Sequence, residues 1–531
     1  MEIVEIKNLK FNYPNTSAPA ISDINLTISK GEFITFFGYS GSGKSTLLRL
    51  IKPTLAPFGE VVGEIKIFGK DIKDLDKRED CERIGFVGQN PENQIVTDKV
   101  WHELAFGLES LGKSNSEIRQ RVSEMASFFG IEDWFHKNTA ELSGGEMQIL
   151  NLASQLVSDP DILVLDEPTS QLDPIASGTF MEMLSRINRE LGITVIMSEH
   201  RLEQAFAVSD RVIAMDKGRL IADARPDEIG EVLALKENDL VMGLPAATRL
   251  FMKYGESGKN PVSIRDGRDW LLGKKLNKNS VMSESYNNFS EPAIKLKDIC
   301  FRHEKNSNDV LRGLSVEILN GEIFTILGGN GAGKSTLLKV LAGMQKPYRG
   351  KIVISGKSVG YLPQNPDILF LEKTVEDELS CNGEIAKYAE ELIEYFDMIE
   401  LLKRHPFDLS GGEKQRLGII KILLKNTDII LLDEPTKGMD ARIKEKFEKL
   451  LKRLKTQGKT IVIVSHDIEF SASVSDRCAL IFDGEISSVA TPREFFAKNR
   501  FYTTAAARIA KGIIDGAIFD TDILDCMEGN V

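Results

Sequence analysis

The sequence is poor in cysteine, with five scattered cysteines among 531 residues and no Cys-x-x-Cys pair. Disulfide-stabilised domains, zinc fingers and iron–sulfur proteins place their cysteines in closely spaced sets, so none of these classes is indicated. Scattered single thiols are typical of a protein that works in a reducing cytosol.

Long apolar runs are also missing. A stretch such as residues 461–464 is far shorter than the roughly 20 apolar residues that a membrane-spanning helix needs. The N-terminus begins Met-Glu-Ile-Val-Glu and has no basic segment followed by an apolar core, so no secretory signal is predicted. We therefore expect that a partner, and not this chain, spans any membrane involved.

Positive charge is in deficit, because 67 lysines and arginines face 79 aspartates and glutamates, for a formal net charge of -12. Proteins that bind nucleic acid concentrate positive charge, so nucleic acid is not an expected partner. Hydrophobic residues make up 42% of the chain and charged residues 27%, as in ordinary globular proteins. The length predicts two or more domains, since one domain typically holds about 50 to 250 residues.

The chain repeats itself once. Gly-Tyr-Ser-Gly-Ser-Gly-Lys-Ser-Thr at 38–46 recurs as Gly-Gly-Asn-Gly-Ala-Gly-Lys-Ser-Thr at 328–336. Leu-Ser-Gly-Gly-Glu and Leu-Asp-Glu-Pro-Thr then follow in the same order in both halves, at 142–146 and 165–169 and again at 409–413 and 432–436. The same series of motifs predicts two copies of one domain.

The domain boundaries follow from this repeat. We place the first copy at residues 1–250 and the second at 293–531, with a helical extension from about residue 492. Residues 251–292 are rich in Gly, Lys, Asn and Ser and are predicted to be a polar connector. In each copy, short apolar runs alternate with helix-like stretches, which predicts an α/β fold with buried parallel strands. Residues 97–135 have helical character and predict a helical subdomain.

Each copy has a phosphate-binding loop between an apolar strand and a helix. Glycines let the backbone approach phosphates, and successive N–H groups at the helix start cradle the negative charge. Lys44 and Lys334 are predicted to reach the β and γ phosphates, and Ser45 and Ser335 to ligate Mg²⁺. The predicted nucleotide-binding residues of the two loops are Gly38, Ser40, Gly41, Gly43, Lys44, Ser45, Thr46, Gly328, Asn330, Gly331, Gly333, Lys334, Ser335 and Thr336.

A pair of acids ends a buried-strand pattern in each copy, Asp166-Glu167 in the first and Asp433-Glu434 in the second. Ligands of α/β sheets gather at the carboxyl ends of the strands. The first acid of each pair suits Mg²⁺ and the second suits an attacking water. An apolar run that ends in Asp commonly marks only a strand end, so it is the preceding phosphate loop that favours a functional role.

Two further polar residue types recur at strand ends. Gln89 and Gln364 follow apolar runs and are candidates to contact Mg²⁺ or the water, although a lone Gln at such a place is normally a solvated loop residue. His200 and His466 follow β-rich runs and are candidates to bind the γ-phosphate and orient the water. Most histidines so placed do no chemistry, but their recurrence at equivalent positions favours the functional interpretation.

Leu-Ser-Gly-Gly-Glu between a phosphate loop and an Asp-Glu strand resembles the signature of ATP-binding-cassette (ABC) ATPases, and the match covers most of the chain. The resemblance implies two P-loop ABC-type nucleotide-binding domains in tandem, each with a RecA-like core and a helical subdomain. It also implies head-to-tail pairing, with ATP held between the phosphate loop of one domain and the signature of the other. The signature residues implied to contact ATP are Ser143, Gly144, Gly145, Ser410, Gly411 and Gly412.

Other family positions are matched unevenly. The adenine-stacking position holds Tyr13 in the first copy but His303 in the second, which departs from the family pattern. Asp173 and Asp440 match the family's D-loop, which couples the two sites. Because both glutamates, Glu167 and Glu434, both lysines and both histidines are present, the sequence predicts two sites competent for hydrolysis.

Gln-Asn-Pro-Glu-Asn-Gln-Ile-Val at 89–96, followed by Glu-Leu-Ala-Phe-Gly at 103–107, resembles the ATPases of energy-coupling-factor importers. Gln-Asn-Pro-Asp at 364–367 echoes the first motif. The resemblance implies an ATPase for uptake of a vitamin or a transition-metal ion. The implied partners are a transmembrane coupling protein and a substrate-binding membrane subunit, and the implied location is the cytoplasmic face of the cell membrane, through those partners.

Two other functions are open at this point. A soluble tandem ABC protein that acts in translation or DNA repair usually adds cluster-binding cysteines, a basic linker or coiled-coil arms, and the sequence has none of these. A non-enzymatic binding module would leave Glu167 and Glu434 without a role. The transported substrate is not encoded in an ATPase that never touches it.

Overall fold

The chain divides into two units, Met1–Gly267 and Arg268–Val531. The computed structural model describes residues 2–14, 16, 18–256, 258–276, 291–305, 307–355, 358–380 and 385–527. Within those residues no helix combines the length and the apolar character needed to cross a bilayer. The unit boundary lies inside the stretch predicted as a connector, of which residue 257 and residues 277–290 lie outside the described residues.

Unit 1 is an α/β domain with two sheets. Its elements in chain order are β1 (Glu2–Asn12), β2 (Ile21–Ser29), β3 (Phe33–Gly38), α1 (Lys44–Leu50), β4 (Glu60–Ile67), β5 (Lys70–Asp71), α2 (Lys77–Arg83), β6 (Ile84–Val87), α3 (Val100–Ser110), α4 (Asn115–Phe129), α5 (Gly144–Leu156), β7 (Ile162–Asp166), α6 (Pro174–Leu191), β8 (Thr194–Ser198), α7 (Leu202–Val208), β9 (Arg211–Asp216), β10 (Arg219–Ala224), α8 (Ile229–Leu235), α9 (Ala246–Lys253) and α10 (Ile264–Leu272), in which the unit boundary falls.

The larger sheet of unit 1 has the strand order β10-β9-β3-β8-β7-β6 and is parallel except for β10. Strands β3, β7 and β8 are buried along their whole length, because their residues are apolar on both faces. The smaller sheet, β2-β1-β4-β5, is antiparallel. Since β3, β6, β7 and β8 run parallel, the loops that follow them meet at one edge of the sheet.

The predicted helical subdomain of unit 1 consists of α3 and α4. Helix α4 begins after Ser114, whose hydroxyl accepts a hydrogen bond from the Glu117 amide, and ends at Gly130 in the left-handed conformation. Val122 and Leu104, one from each helix, are buried in one hydrophobic cluster with residues of α5 and the sheet. The subdomain is therefore packed on the helix that carries the Leu-Ser-Gly-Gly-Glu motif.

Unit 2 has the same α/β architecture. Its elements are β11 (Pro292–Phe301), β12 (Leu311–Leu319), β13 (Ile323–Leu327), α11 (Lys334–Leu341), β14 (Arg349–Ile354), β15 (Val359–Leu362), α12 (Val375–Leu379), α13 (Lys387–Tyr395), α14 (Gly411–Leu424), β16 (Ile429–Asp433), α15 (Ala441–Thr456), β17 (Thr460–Val464), α16 (Ile468–Val474), β18 (Arg477–Phe482), β19 (Glu485–Ala490), α17 (Pro492–Lys498), α18 (Ala505–Ala510) and α19 (Asp520–Asp525). The sheet orders are β12-β11-β14 and β15-β16-β17-β13-β18-β19, so the larger sheet repeats the topology of unit 1.

Both units carry a helical extension after their last strand. In unit 1, the Glu203 carboxylate accepts a hydrogen bond of 2.6 Å from the Ala246 amide at the start of α9. In unit 2, the Glu469 carboxylate accepts one of 2.7 Å from the Ala505 amide at the start of α18. The sequence predicted a helical extension for the second copy alone, and the structure shows a counterpart in the first. This counterpart includes residues at the start of the predicted connector.

Candidate functional site

The phosphate loop of each unit joins a buried strand to the helix that Lys44 or Lys334 begins. Lys44 is only 5% exposed, and its ammonium group donates hydrogen bonds of 2.9 Å to the carbonyls of Gly38 and Tyr39. Lys334 repeats the arrangement, with bonds of 3.0 and 2.7 Å to the carbonyls of Gly328 and Gly329. The loop therefore wraps around the cation that is predicted to meet the phosphates.

Two glycines of the first loop are required by the backbone. Gly38 and Gly43 have φ angles of 148° and 98°, which side-chain-bearing residues rarely adopt. A Cβ atom at Gly38 would lie 2.0 Å from the Met215 carbonyl oxygen, and one at Gly43 would lie 2.5 Å from the Ala20 carbonyl oxygen. Both positions exclude a side chain on steric grounds, which keeps the loop backbone close to its neighbours.

The predicted metal-binding residues lie together in each unit. The Ser45 hydroxyl donates a hydrogen bond of 2.8 Å to Asp166 Oδ1, and the Ser335 hydroxyl donates one of 3.0 Å to Asp433 Oδ1. Burial raises the pKa of Asp166, the charge of Glu167 raises it further, and the hydroxyl hydrogen bonds lower it. A buried carboxylate beside a hydroxyl offers the hard oxygen ligands that Mg²⁺ prefers, so these residues fit that ion.

Glu167 lies at the centre of the unit 1 site. It follows β7 with a φ angle of 48°, an uncommon conformation for a residue other than glycine and one that often marks a functional position. Gln89 Nε2 donates a hydrogen bond of 2.8 Å to Glu167 Oε2, and His200 Nε2 lies 2.9 Å from Glu167 Oε1. The structure thus brings the predicted base, glutamine and histidine together.

Unit 2 places its glutamate differently. Glu434 also has a positive φ, 50°, and His466 Nε2 lies 3.2 Å from Glu434 Oε1. Its second oxygen, Oε2, accepts a hydrogen bond of 3.0 Å from the backbone amide of His466. Among the described residues, Gln364 makes no bond to Glu434 that corresponds to the Gln89 bond in unit 1.

The Leu-Ser-Gly-Gly-Glu motif begins a helix in both units. Ser143 and Ser410 are the N-cap residues of α5 and α14, and each forms a reciprocal capping box with the glutamate three residues later, Glu146 and Glu413. Gly144, Gly145, Gly411 and Gly412 form the first turns of these helices. Their backbone N–H groups lie at the positive end of the helix dipole, which suits an anion.

The D-loop aspartates are helix caps as well. The Asp173 carboxylate accepts hydrogen bonds from Ile175 and Ala176 amides, and that of Asp440 accepts one from Ile443. Their predicted coupling role remains a prediction.

The two candidate adenine-stacking rings differ in their surroundings. The Tyr13 hydroxyl is 3.0 Å from the Thr46 hydroxyl, and its ring packs edge-on against Phe11. His303 packs edge-on against Phe301 and is exposed. The departure seen in the sequence therefore places a smaller, exposed ring at this position of unit 2.

Three further polar residues contact the site and were not predicted from the sequence. The Ser198 hydroxyl donates a hydrogen bond of 2.8 Å to Asp166 Oδ1, and the Tyr361 hydroxyl donates one of 3.3 Å to Asp433 Oδ2. Glu199 is 2% exposed and accepts hydrogen bonds from the backbone on both sides of the site. Ser198 ends β8, Glu199 follows it and Tyr361 lies in β15, and both strands are neighbours of a strand that ends in an acid pair.

Comparisons with known proteins identify the family. The family model described as ABC transporter matches residues 21–170 and 311–437. A Bacillus anthracis protein described as an ABC transporter ATP-binding protein is 39% identical over 99% of this chain and 98% of its own length.

Two similar solved structures cover different shares of this chain. The archaeal ribosome recycling factor aABCE1, in its complex with the stalk protein aP1, has a TM-score of 0.57 at 21% identity over 92% of this chain and 91% of that chain, which shows a common fold. CbiO1 of Clostridium perfringens, part of the CbiONQ transporter complex, has a TM-score of 0.40 at 32% identity over 44% of this chain and 95% of that chain. From the family match and the full-length relative, the chain belongs to the ABC transporter family, as an ATP-binding protein whose two tandem ATPase domains hydrolyse ATP.

Proposed function

We propose that the chain is the ATP-hydrolysing subunit of an energy-coupling-factor type importer of a vitamin or a transition-metal ion. The proposed ATP hydrolysis rests on one observation. Glu167 contacts both Gln89 and His200, and the phosphate-loop lysine of the same unit is buried. The importer part is supported by the family and by the likeness of residues 89–96 to such ATPases.

The chemistry follows from the placement of the side chains. In this proposal Lys44 neutralises the β and γ phosphates, and His200 donates a hydrogen bond to the γ-phosphate. Glu167 accepts a proton from the attacking water, and Gln89 holds the carboxylate in place. Glu167 follows the end of β7 with a positive φ, and its carboxylate contacts Gln89 and His200.

Ser45, Asp166 and Gln89 in the first unit, and Ser335, Asp433 and Gln364 in the second, are the residues that would hold Mg²⁺. When bound, the ion neutralises charge on the phosphate oxygens. We further propose that the signature serine and glycines of one unit complete the ATP site of the other. Ser143 then serves the site of Lys334, and Ser410 serves that of Lys44.

The catalytic assignment is tested by Glu167→Gln and Glu434→Gln, alone and together. Loss of the general base is expected to lower steady-state ATPase activity of the double variant at least about 100-fold while ATP still binds. Glu190→Gln, on the exposed end of α6, is the matched control. Undiminished turnover of the double variant would contradict the assignment.

A membrane partner is proposed to contact the segments that follow Gln89 and Gln364. Val96 is 68% exposed and Ile368 is 63% exposed, so both side chains can change without disturbing a core. We expect the tagged chain, purified in mild detergent, to bring down a transmembrane coupling protein and a substrate-binding subunit. Val96→Asp with Ile368→Asp is expected to remove them, because a charge opposes burial in an apolar interface.

Leu235→Asp is the control for that experiment, since Leu235 is 80% exposed at the end of α8. It should retain the membrane partners. Stoichiometric association with ribosomes, and no membrane protein, would instead favour the soluble tandem ABC protein that acts in translation.

A further inference from the structure

The two units differ at the residue before the site histidine. Unit 1 has Glu199 before His200, whereas unit 2 has Ser465 before His466. Both residues are buried, Glu199 at 2% and Ser465 at 0% exposure. A buried carboxylate is costly unless it is well hydrogen-bonded, so the contacts of Glu199 indicate what it does.

Glu199 links the strand end of Glu167 to the loop of His200. Its Oε1 accepts hydrogen bonds from the Thr169 amide at 3.0 Å and the Thr169 hydroxyl at 2.7 Å. Its Oε2 accepts one from the His200 amide at 3.1 Å. Thr169 is two residues after Glu167, so one carboxylate fixes the backbone on both sides of the Glu167–His200 contact. Burial raises the pKa of Glu199 and the Thr169 hydrogen bonds lower it.

In unit 2 the same backbone amide is bound by the catalytic glutamate itself. Glu434 Oε2 accepts the hydrogen bond of the His466 amide at 3.0 Å. The Ser465 hydroxyl is turned to the Asp467 amide, from which it accepts a hydrogen bond of 3.0 Å. In unit 1, by contrast, the equivalent oxygen, Glu167 Oε2, accepts the hydrogen bond of Gln89.

We propose that Glu199 is a positioning residue that binds the His200 amide in place of Glu167, so that Glu167 is held by Gln89 and the unit 1 site is preorganised for hydrolysis. The inference rests on the proposed role of Glu167 as the base. It makes the unit 1 site the faster of the two, because Glu434 must leave the His466 amide before it can be held by Gln364.

The test is a double-mutant cycle between Glu199 and Gln89 in the full chain. Glu199→Gln keeps the volume and leaves an oxygen for Thr169, but it sets an NH₂ donor against the His200 amide, which is also a donor. We expect kcat for ATP to fall about tenfold with KM within about twofold, since ground-state binding is untouched. Gln89→Ala should then cost at least about threefold less in the Glu199→Gln chain than in the wild type, because both act on Glu167.

The matched control is Gln364→Ala, the equivalent change in unit 2, which should lower kcat little in the wild type and should cost no less in the Glu199→Gln chain, because it acts on the other site. If Glu199 only supported the fold, Glu199→Gln would reduce the melting temperature. It would then lower kcat by the same factor with and without Gln89→Ala. Unchanged kcat in Glu199→Gln, or independent effects of Glu199 and Gln89, would overturn the inference. If Glu167→Gln itself left turnover intact, the base assignment would fail instead, so the two failures are distinguishable.

Discussion

The buried aspartate of each site receives a second hydroxyl hydrogen bond, but the donor comes from a different strand in each unit. In unit 1 the donor is Ser198 at the end of β8, and the residue equivalent to Tyr361 is Phe86. In unit 2 the donor is Tyr361 in β15, and the residue equivalent to Ser198 is Val464. Strands β7 and β16 each lie between the two possible donor strands, so either neighbour can supply the hydroxyl.

Tyr361→Phe is predicted to weaken divalent-cation binding in unit 2. Partners that orient a metal-binding carboxylate typically contribute about 10- to 100-fold in metal affinity, so we expect one of two sites to weaken at least about tenfold. The measurement is an electron-paramagnetic-resonance titration with Mn²⁺ and ATP. Tyr395→Phe, which removes a hydroxyl bonded to the Lys446 carbonyl, is the control and should leave both sites unchanged.

Ser198→Val is the complementary prediction for unit 1. Besides its bond to Asp166, the Ser198 hydroxyl accepts a hydrogen bond of 3.1 Å from the Glu167 amide. Its loss should therefore weaken Mn²⁺ binding at the first site and also lower kcat, whereas Tyr361→Phe should act mainly on the metal. Equal effects of both variants on kcat would contradict this difference.

The motif residues of the site could be predicted from the sequence, but their supporting residues could not. Ser45 and Asp166 stand in local patterns that phosphate and metal chemistry dictate, and a hydrogen bond joins them in the structure. Ser198 and Tyr361 act through strand adjacency, and nothing in a one-dimensional pattern states which strands are neighbours. Glu199 could not be predicted for the same reason, since its partner Thr169 is 30 residues away.

At the scale of elements, helices α7 and α16 each carry a glutamate that caps the extension of their unit. Glu203 and Glu469 each stand three residues after the site histidine, His200 or His466. A carboxylate at a helix start satisfies a backbone donor and interacts favourably with the helix dipole. The extension is thereby tied to the segment that bears the histidine.

Glu203→Ala is predicted to loosen α9, and Glu469→Ala to loosen α18. Loss of such a cap costs about 1 kcal/mol, so amide hydrogen exchange in residues 246–253 or 505–510 should speed up about fivefold. Glu231→Ala, at an exposed position of α8, should not change exchange in α9. Unchanged exchange in the capped helix would show that the contact contributes nothing to its stability.

The buried strands were predicted from the sequence, but the helical extension of unit 1 was not. The strands were predictable because their residues are apolar on both faces, as in β7. Helices α9 and α18 are short, and their caps come from residues 43 and 36 positions earlier in the chain. A recurring Ala-Ala-x-Arg, at 246–249 and 505–508, is the signal that was available in the sequence.

At the scale of the whole molecule, each unit has its own hydrophobic clusters and its own phosphate-loop lysine. ATP is therefore predicted to stabilise the chain at two separable places. At a free concentration about 100 times its dissociation constant, a ligand stabilises the domain that binds it by about 2.7 kcal/mol. Lys44→Ala and Lys334→Ala should each remove the gain from one of the two bound nucleotides.

Calorimetric melting with ATP and EDTA, which prevents hydrolysis, measures this effect. Each single variant should lose part of the ATP-induced rise in melting temperature, and the double variant should lose nearly all of it. Lys452→Ala, on the exposed face of α15, is the control. A single variant that lost the whole rise would show that one unit alone accounts for nucleotide binding.

The alternative hydroxyl donors also have a consequence for the divergence of the two halves. Each aspartate receives one hydroxyl hydrogen bond from a neighbouring strand, and the serine and the tyrosine are two ways to provide it. In sequences descended from the same duplication, we expect Ser at position 198 to occur with Phe at 86, and Val at 464 with Tyr at 361. Chains with neither hydroxyl in one half should be rare, because the metal site of that half would be weakened.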